Sequence, residues 1–366
     1  MKIMLVYYND LTVLLSTVFS ALDFEIDYVK ASTRRTLELA TKHSPETWCF
    51  DTKLMLGQAI EAVQRGNDII TMPGAWGGRN ENCLLGYLCK GVMKKRVENA
   101  VGKKVKLWHF NVNPVEMIFS CYFASYRNIK MLRQYSKKWS SWRVFKSLVL
   151  GIKKMKLAAK VKEKMLLSAD VIDKKKLFAV YDMFISDMIF KADSRDKADY
   201  FFKKAIRSIN GLERKRIKTK IRVGIVGDYA HTLFGAFPFF NIEEFLLSED
   251  VYVEQPLSFT NYYSFLSPLY SRKNIRKLKR IFPQNVTGSD AVTLLSALYL
   301  KEKVDGLIHV GTFSCTPEEV ANEVLISNKR SFPPVLSLSY DAHTNEENMR
   351  VRIEAFIDML KNKKRK

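Results

Sequence analysis

No uncharged run in the 366 residues approaches the roughly 18 that a membrane span requires, so the sequence carries no transmembrane signature and a cytoplasmic protein is the expectation. P-loop, HExxH and GxSxG patterns are also missing. Their absence removes the sequence signatures of nucleotide-phosphate cradling, zincin hydrolysis and the α/β-hydrolase nucleophile. Histidine is scarce: His43, His109, His231, His309 and His343 stand alone, with no neighbour at metal-ligand spacing. Cysteine is equally scarce, at Cys49, Cys83, Cys89, Cys121 and Cys315. An odd number, wide spacing, no CxxC pair and no secretion signal argue against a disulfide framework, which leaves reduced thiols able to bind metal. The apolar opening MKIMLVYYNDLTVLLSTVFS is divided by Asn9 and Asp10 and shows no small-residue cleavage site. It is therefore expected to be the first strand and helix of a fold.

What is present is a chain that is 47% hydrophobic and 12% aromatic, enough for a sizeable core and two domains. Its formal charge of +22 is concentrated: residues 127 to 220 hold 27 Lys and Arg against 9 acids. Segments such as GIKKMKLAAKVKEKM interleave lysines with apolar residues at helical spacing, the pattern of a solvated amphipathic face. That is the first account of the excess. Behind it stand docking of an acidic protein partner and binding of nucleic acid or an anionic membrane surface, the nucleic-acid reading resting on charge alone.

The rhythm of apolar residues divides the chain in three. In residues 1–113, KIMLVYY, DFEIDYV, DIITMP and KVKLWHFNV read as strands, with helices over 11–22, 52–65 and about 83–99 and a loop around SPETWCF. Residues 114–218 show helical spacing, without a convincing strand, broken near Ser136 to Ser141 and near Ser168 to Asp173. In residues 219–366 the strands RVGIVGD, DVYVEQ, DGLIHVGTF and PVLSLSYD return, with helices in EEFLL, YSRKNIRKLKRIF, SDAVTLLSALYLKEK, PEEVANEVLI and the last twenty or so residues. The predicted fold is α/β: two Rossmann-like βα domains with parallel sheets, joined by a basic all-helical segment.

Three cysteines share a local context. Cys49 precedes one helix, Cys83 opens another, and Cys315 sits between an apolar strand and Pro317. Loops of this kind lie at the carboxyl ends of parallel strands, where open α/β sheets bind ligands. Free N–H groups at helix starts lower a thiol's pKa and favour an anionic ligand. Three thiolates meeting in a cleft suit an iron–sulfur cluster with one iron left for another ligand, or a zinc site with an open position. The plainer account is that scattered thiols are small core residues, and it is the first choice for Cys89 and for Cys121 in IFSCYF. GIVGD lacks the third glycine of a dinucleotide turn and reads as a tight βα turn. His309 within LIHVG reads as a core histidine, whereas His343 in YDAHTNEEN lies in a polar loop.

Five fragments in order, PETWCFDTKLMLGQAIEAVQRGNDIITMPG, ENCLLGYL, VGIVGDY, DGLIHVGTFSCTPEEVANEVL and LSLSYDAHTNEENMRVRIEAFIDML, together resemble the 2-hydroxyacyl-CoA dehydratase family. Within it, the closer likeness is to the activase-related, CoA-protein-activase-like branch of iron–sulfur proteins. The likeness covers both βα regions, most strongly residues 45 to 90 and 304 to 360, and little of the helical middle. It implies that Cys49 in PETxCF, Cys83 in CxxGY and Cys315 in CxP hold an iron–sulfur cluster, a 4Fe–4S or larger one, between two Rossmann-like domains. Asp341, His343, Thr344 and Arg352 would then lie near substrate or behind the ligands. The same likeness implies a separate ATP-hydrolysing activator that delivers one electron, an acyl-CoA substrate whose ketyl radical eliminates water, and a homodimer or paralogous heterodimer. The chain departs from the family pattern at Asp51 (commonly Pro), Leu84 (commonly Arg), Ala342 (commonly an acid) and Val351 (commonly Thr). None of these removes a proposed ligand; they bear on the substrate.

The expectation is therefore an iron–sulfur protein that accepts low-potential electrons for reductive or dehydratase-type chemistry. The alternative is a non-catalytic accessory protein that keeps the fold and docks an acidic partner through its basic helices.

Overall fold

The computed structural model describes residues 1–6, 10–29, 32–73, 91–110, 133–218, 220–228, 240–256, 272–282 and 289–365. Four short strands make the first sheet: β1 (Lys2–Val6), β2 (Glu25–Val29), β3 (Ile69–Pro73) and β4 (Lys106–Phe110), all parallel, in the order β2-β1-β3-β4. Ile3, Met4 and Leu5 are consecutive and buried, as a strand covered on both faces requires. The covering helices are α1 (Asp10–Ala21), α2 (Arg34–His43), α3 (Phe50–Gln64) and α4 (Val92–Val101).

The helix α2 occupies part of the stretch that sequence rhythm assigned to a loop. It buries only Thr36 and Ala40, so its apolar stripe is too thin to register as periodicity; a capping box between Thr33 and Thr36 starts it instead. Gly57 in α3 is its dock, since a Cβ there would lie 2.1 Å from the Thr36 carbonyl oxygen. The helix expected over 83–99 is seen as α4, closed by Gly102 in the left-handed conformation; residues 83–90 lie outside the described residues.

The basic segment is helical: α5 (Ser141–Leu166), α6 (Lys174–Phe190) and α7 (Arg195–Asn210). Both expected breaks are present, and a third falls at Lys191–Ser194. Asp173 and Ser194 accept the backbone N–H of Lys176 and Lys197 and so start α6 and α7.

The second sheet repeats the first. Its strands β5 (Arg222–Gly227), β6 (Tyr252–Glu254), β7 (Gly306–Thr312) and β8 (Val335–Tyr340) are parallel in the order β6-β5-β7-β8. Around it lie α8 (Ile242–Ser248), α9 (Arg272–Ile281), α10 (Ser289–Leu300), α11 (Thr316–Ser327) and α12 (Glu346–Arg365). The fold is thus α/β with two Rossmann-like parallel sheets. The halves are not independent bodies: Met155 of α5 and Val292 of α10 enter the first core, and Val13 of α1 enters the second. In each sheet the chain reverses its direction of growth between the first and third strands, and ligands of open α/β folds bind at the carboxyl ends there.

Candidate thiol site at the carboxyl ends of the strands

The reversal point of the second sheet is built from the ends of β5 and β7. Gly227 adopts φ +128°, and a Cβ there would lie 2.1 Å from the Val310 carbonyl oxygen, so only glycine allows the two strands to close this tightly. GIVG ends β5; the turn expected after it lies outside the described residues. The next residue, Asp228, is buried; its N–H donates to Val310 O at 2.7 Å, and Thr312 Oγ1 donates to its Oδ2 at 2.5 Å. Past Thr312 the chain turns through Ser314 in the left-handed region, φ +67°, an unfavourable conformation for a residue with a side chain. That turn delivers Cys315 to the N-cap of α11, with Pro317 in the first turn.

The thiol of Cys315 is pushed well above its ordinary range. Burial is the main cause, followed by the charges of Asp228, Glu318 and Asp51, against which the Glu318 N–H acts weakly. Glu318 is only 1% exposed, although it carries a carboxylate in the first turn of a helix. Thr293 Oγ1 donates to both its oxygens, at 3.1 and 3.3 Å, and His309 Nε2 lies 3.2 Å from Oε2. His309 is therefore a core histidine, as its setting in LIHVG implied, but one committed to a buried acid beside a thiol.

Cys49 stands at a helix start in the first half, on the helix that leads into β3. It is the N-cap of α3, with its Sγ 3.0 Å from Thr52 Oγ1. Because α3 runs back to the amino end of β3, its first turn lies at the carboxyl end of the sheet. Asp51, two residues further on, is one of the charges acting on Cys315, so the starts of α3 and α11 lie within electrostatic reach of each other. Two of the three expected ligands, Cys49 and Cys315, thus stand at helix starts that belong to different sheets. Cys83 lies outside the described residues, as do Cys89 and Cys121; among the described residues no three metal-donor side chains form a group.

The last motif follows β8 at the same edge, where Phe313 N–H donates to Tyr340 O at 2.7 Å. Asp341 Oδ1 accepts from the His343 N–H at 2.8 Å and from Thr344 Oγ1 at 3.0 Å, while the Asp341 N–H donates to Thr344 Oγ1 at 2.8 Å. Asp341 and Thr344 therefore hold the loop that presents His343. Arg352 Nη2 donates to the Ser337 carbonyl at 2.6 Å and steadies β8. Sequence reasoning did not find Asp228, Thr312 and Glu318. The available signals were the aspartate closing GIVGD and the paired acids after Pro317.

No helix among the described residues is long and apolar enough to cross a membrane. No curated protein matches the chain significantly. A family model described as 2-hydroxyglutaryl-CoA dehydratase, D-component, matches residues 153–360, more than half of the chain, including α6, α7, the whole second sheet and Cys315. The chain belongs to the 2-hydroxyglutaryl-CoA dehydratase D-component family.

Proposed function

We propose that this protein is the iron–sulfur component of a reductive or dehydratase-type reaction, receiving low-potential electrons from a separate ATP-hydrolysing activator and acting on an acyl-CoA. The supporting observation is the placement of Cys49 and Cys315 at the starts of two helices from two sheets, with the charge of Asp51, two residues after Cys49, acting on the Cys315 thiol. The donor set fits such a group: sulfur at both helix starts, with backbone N–H groups there to offset an anionic cluster. Cys49, Cys83 and Cys315 would hold it, and when bound it would supply one-electron transfer.

The surrounding residues have definite work in this reading. Burial, with the charges of Asp228 and Glu318, keeps Cys315 protonated before metal arrives, so loading must release its proton. Thr312 and His309 hold those two carboxylates in place. Gly227 and Ser314 shape the turn that aims Cys315 at the edge of the sheet.

Anaerobic purification followed by iron and sulfide analysis and a visible spectrum tests this, repeated on Cys49→Ser, Cys83→Ser and Cys315→Ser. Iron and sulfide are expected in the wild type and sharply reduced in each variant. A wild type without iron under these conditions would falsify the proposal. A second reading, an accessory protein, is favoured by the large apolar side chains exposed among the lysines of α5 to α7, including Trp142, Phe145, Met183 and Tyr200. Reduction of bound iron by an ATP-driven activator favours the enzyme component; iron that stays oxidised favours the accessory.

A further inference from the structure

A cavity of about 790 Å³ lies at the amino end of the first sheet, opposite the thiols. The last turns of α1, the start of β2, one face of α5 and the end of α6 enclose it. Arg143, Ser147, Leu150 and Lys154 recur at helical spacing along that face of α5, a stripe about 16 Å long at 1.5 Å per residue. Arg143 is exposed at one end; Lys154, at the other, is 1% exposed.

The Lys154 ammonium has no hydrogen-bond or ion-pair partner among the described residues. Burial pulls its pKa down to about 8, and Asp193 opposes this only through space. Asp193 is itself exposed and paired with Lys197 at 2.6 Å. The other charged groups facing the cavity are Glu25, exposed at the start of β2, and Arg143 and Lys146 of α5; α1 contributes only hydroxyls and Ala21. Cations therefore exceed acids, and the deepest cation has no counter-charge in contact with it. A buried amine without an acceptor is costly, whereas a ligand's anionic head would satisfy it. The walls between Lys154 and the mouth are apolar at Leu150 and Ile189, and Trp142 stands exposed at the rim.

We propose that this cavity is a second ligand site, taking an elongated amphipathic carboxylate whose head accepts from Lys154 and whose chain runs along Leu150 and Ile189 toward Trp142. The site is remote from the thiols and does not depend on the iron–sulfur reading.

Calorimetric titration of the full-length protein with decanoate, and with decanol as the uncharged control, tests it. The wild type should bind decanoate more tightly than decanol. Lys154→Met should weaken decanoate about ten- to hundredfold, the worth of one hydrogen bond to a charged group, and leave decanol unchanged. Wild-type affinity for decanoate should fall as pH rises through about 8, where the free amine loses its proton, and Lys154→Met should lack that dependence. Ser20→Trp, at an exposed rim position, should block both ligands while leaving the fold intact by circular dichroism. No binding of decanoate by the wild type at millimolar concentration overturns the proposal. So does equal affinity for decanoate and decanol, or an unchanged decanoate affinity in Lys154→Met.

Discussion

Lys154 shows how a single side chain can weaken the fold that holds it. Its amine binds a proton less tightly in the folded protein, at about 8, than at the ordinary value of 10.5. Below about pH 8 both folded and unfolded chains are protonated, and the fold bears the whole cost of burying the charge. Between about 8 and 10.5 the unfolded chain alone keeps its proton, so wild-type stability recovers as pH rises. Lys154→Met should therefore be more stable than the wild type near pH 7, by up to about 3 kcal/mol, and the gap should close toward pH 10. Urea denaturation of both proteins at the two pH values measures this; a gap independent of pH would mean that packing of the methionine, not the charge, is responsible. Cys315 is the converse case. Its thiol is raised by burial first and then by the carboxylates beside it, and such clusters mark functional sites more often than they add stability.

At the scale of elements, the contact between α2 and α3 rests on an absent side chain. Gly57 lets the α2 backbone approach so closely that a Cβ would lie 2.1 Å from Thr36 O and 3.0 Å from Ala40 Cβ. Backbone must shift to admit even one methyl group, so Gly57→Ala should destabilise the protein by about 1–3 kcal/mol. A lowered urea midpoint with unchanged slope is the expected result; an unchanged midpoint would show that α2 can move freely on α3. The same element marks the limit of pattern reading. The helices α1 and α3 and the helical character of α5 to α7 were legible because their apolar positions recur over many turns. In contrast, α2 was not, because it depends on a capping box and one close approach.

For the whole molecule, charge is the dominant long-range term. Residues 127 to 220 carry 27 cations against 9 acids, so most of those cations cannot be neutralised within the segment. Exposed ion pairs such as Lys153–Asp199 and Lys197–Asp193 contribute under about 1 kcal/mol each. Self-repulsion should outweigh them. Raising sodium chloride from about 20 to about 300 mM, which shortens the screening length from roughly 20 Å to about 6 Å, should therefore raise the melting temperature. A fall would show that ion pairing prevails over repulsion. Unfolding should also occur in one step, because Val13 and Val292 tie each half to the core of the other and Met155 ties the helical segment to the first core.

The sequence by itself determined most of the elements and their class. Apolar strands alternating with helices can bury both faces only as parallel sheets, and the rhythm marked the helical segment between them. It also singled out Cys49 and Cys315, since a thiol at the start of a helix is recognisable from neighbours in the chain. Only the tertiary structure decided what surrounds them. Asp228 and Thr312 meet across 84 positions, Glu318 and Thr293 across 25, and Asp51 reaches Cys315 from the other sheet. Those partners are brought together by strand order and by cores shared between the halves, and neither leaves a periodic trace in the chain. Lys154 is the plainest example: among the lysines of an amphipathic helix it looks like one more solvated charge, and only the helices packed around it reveal that it is buried.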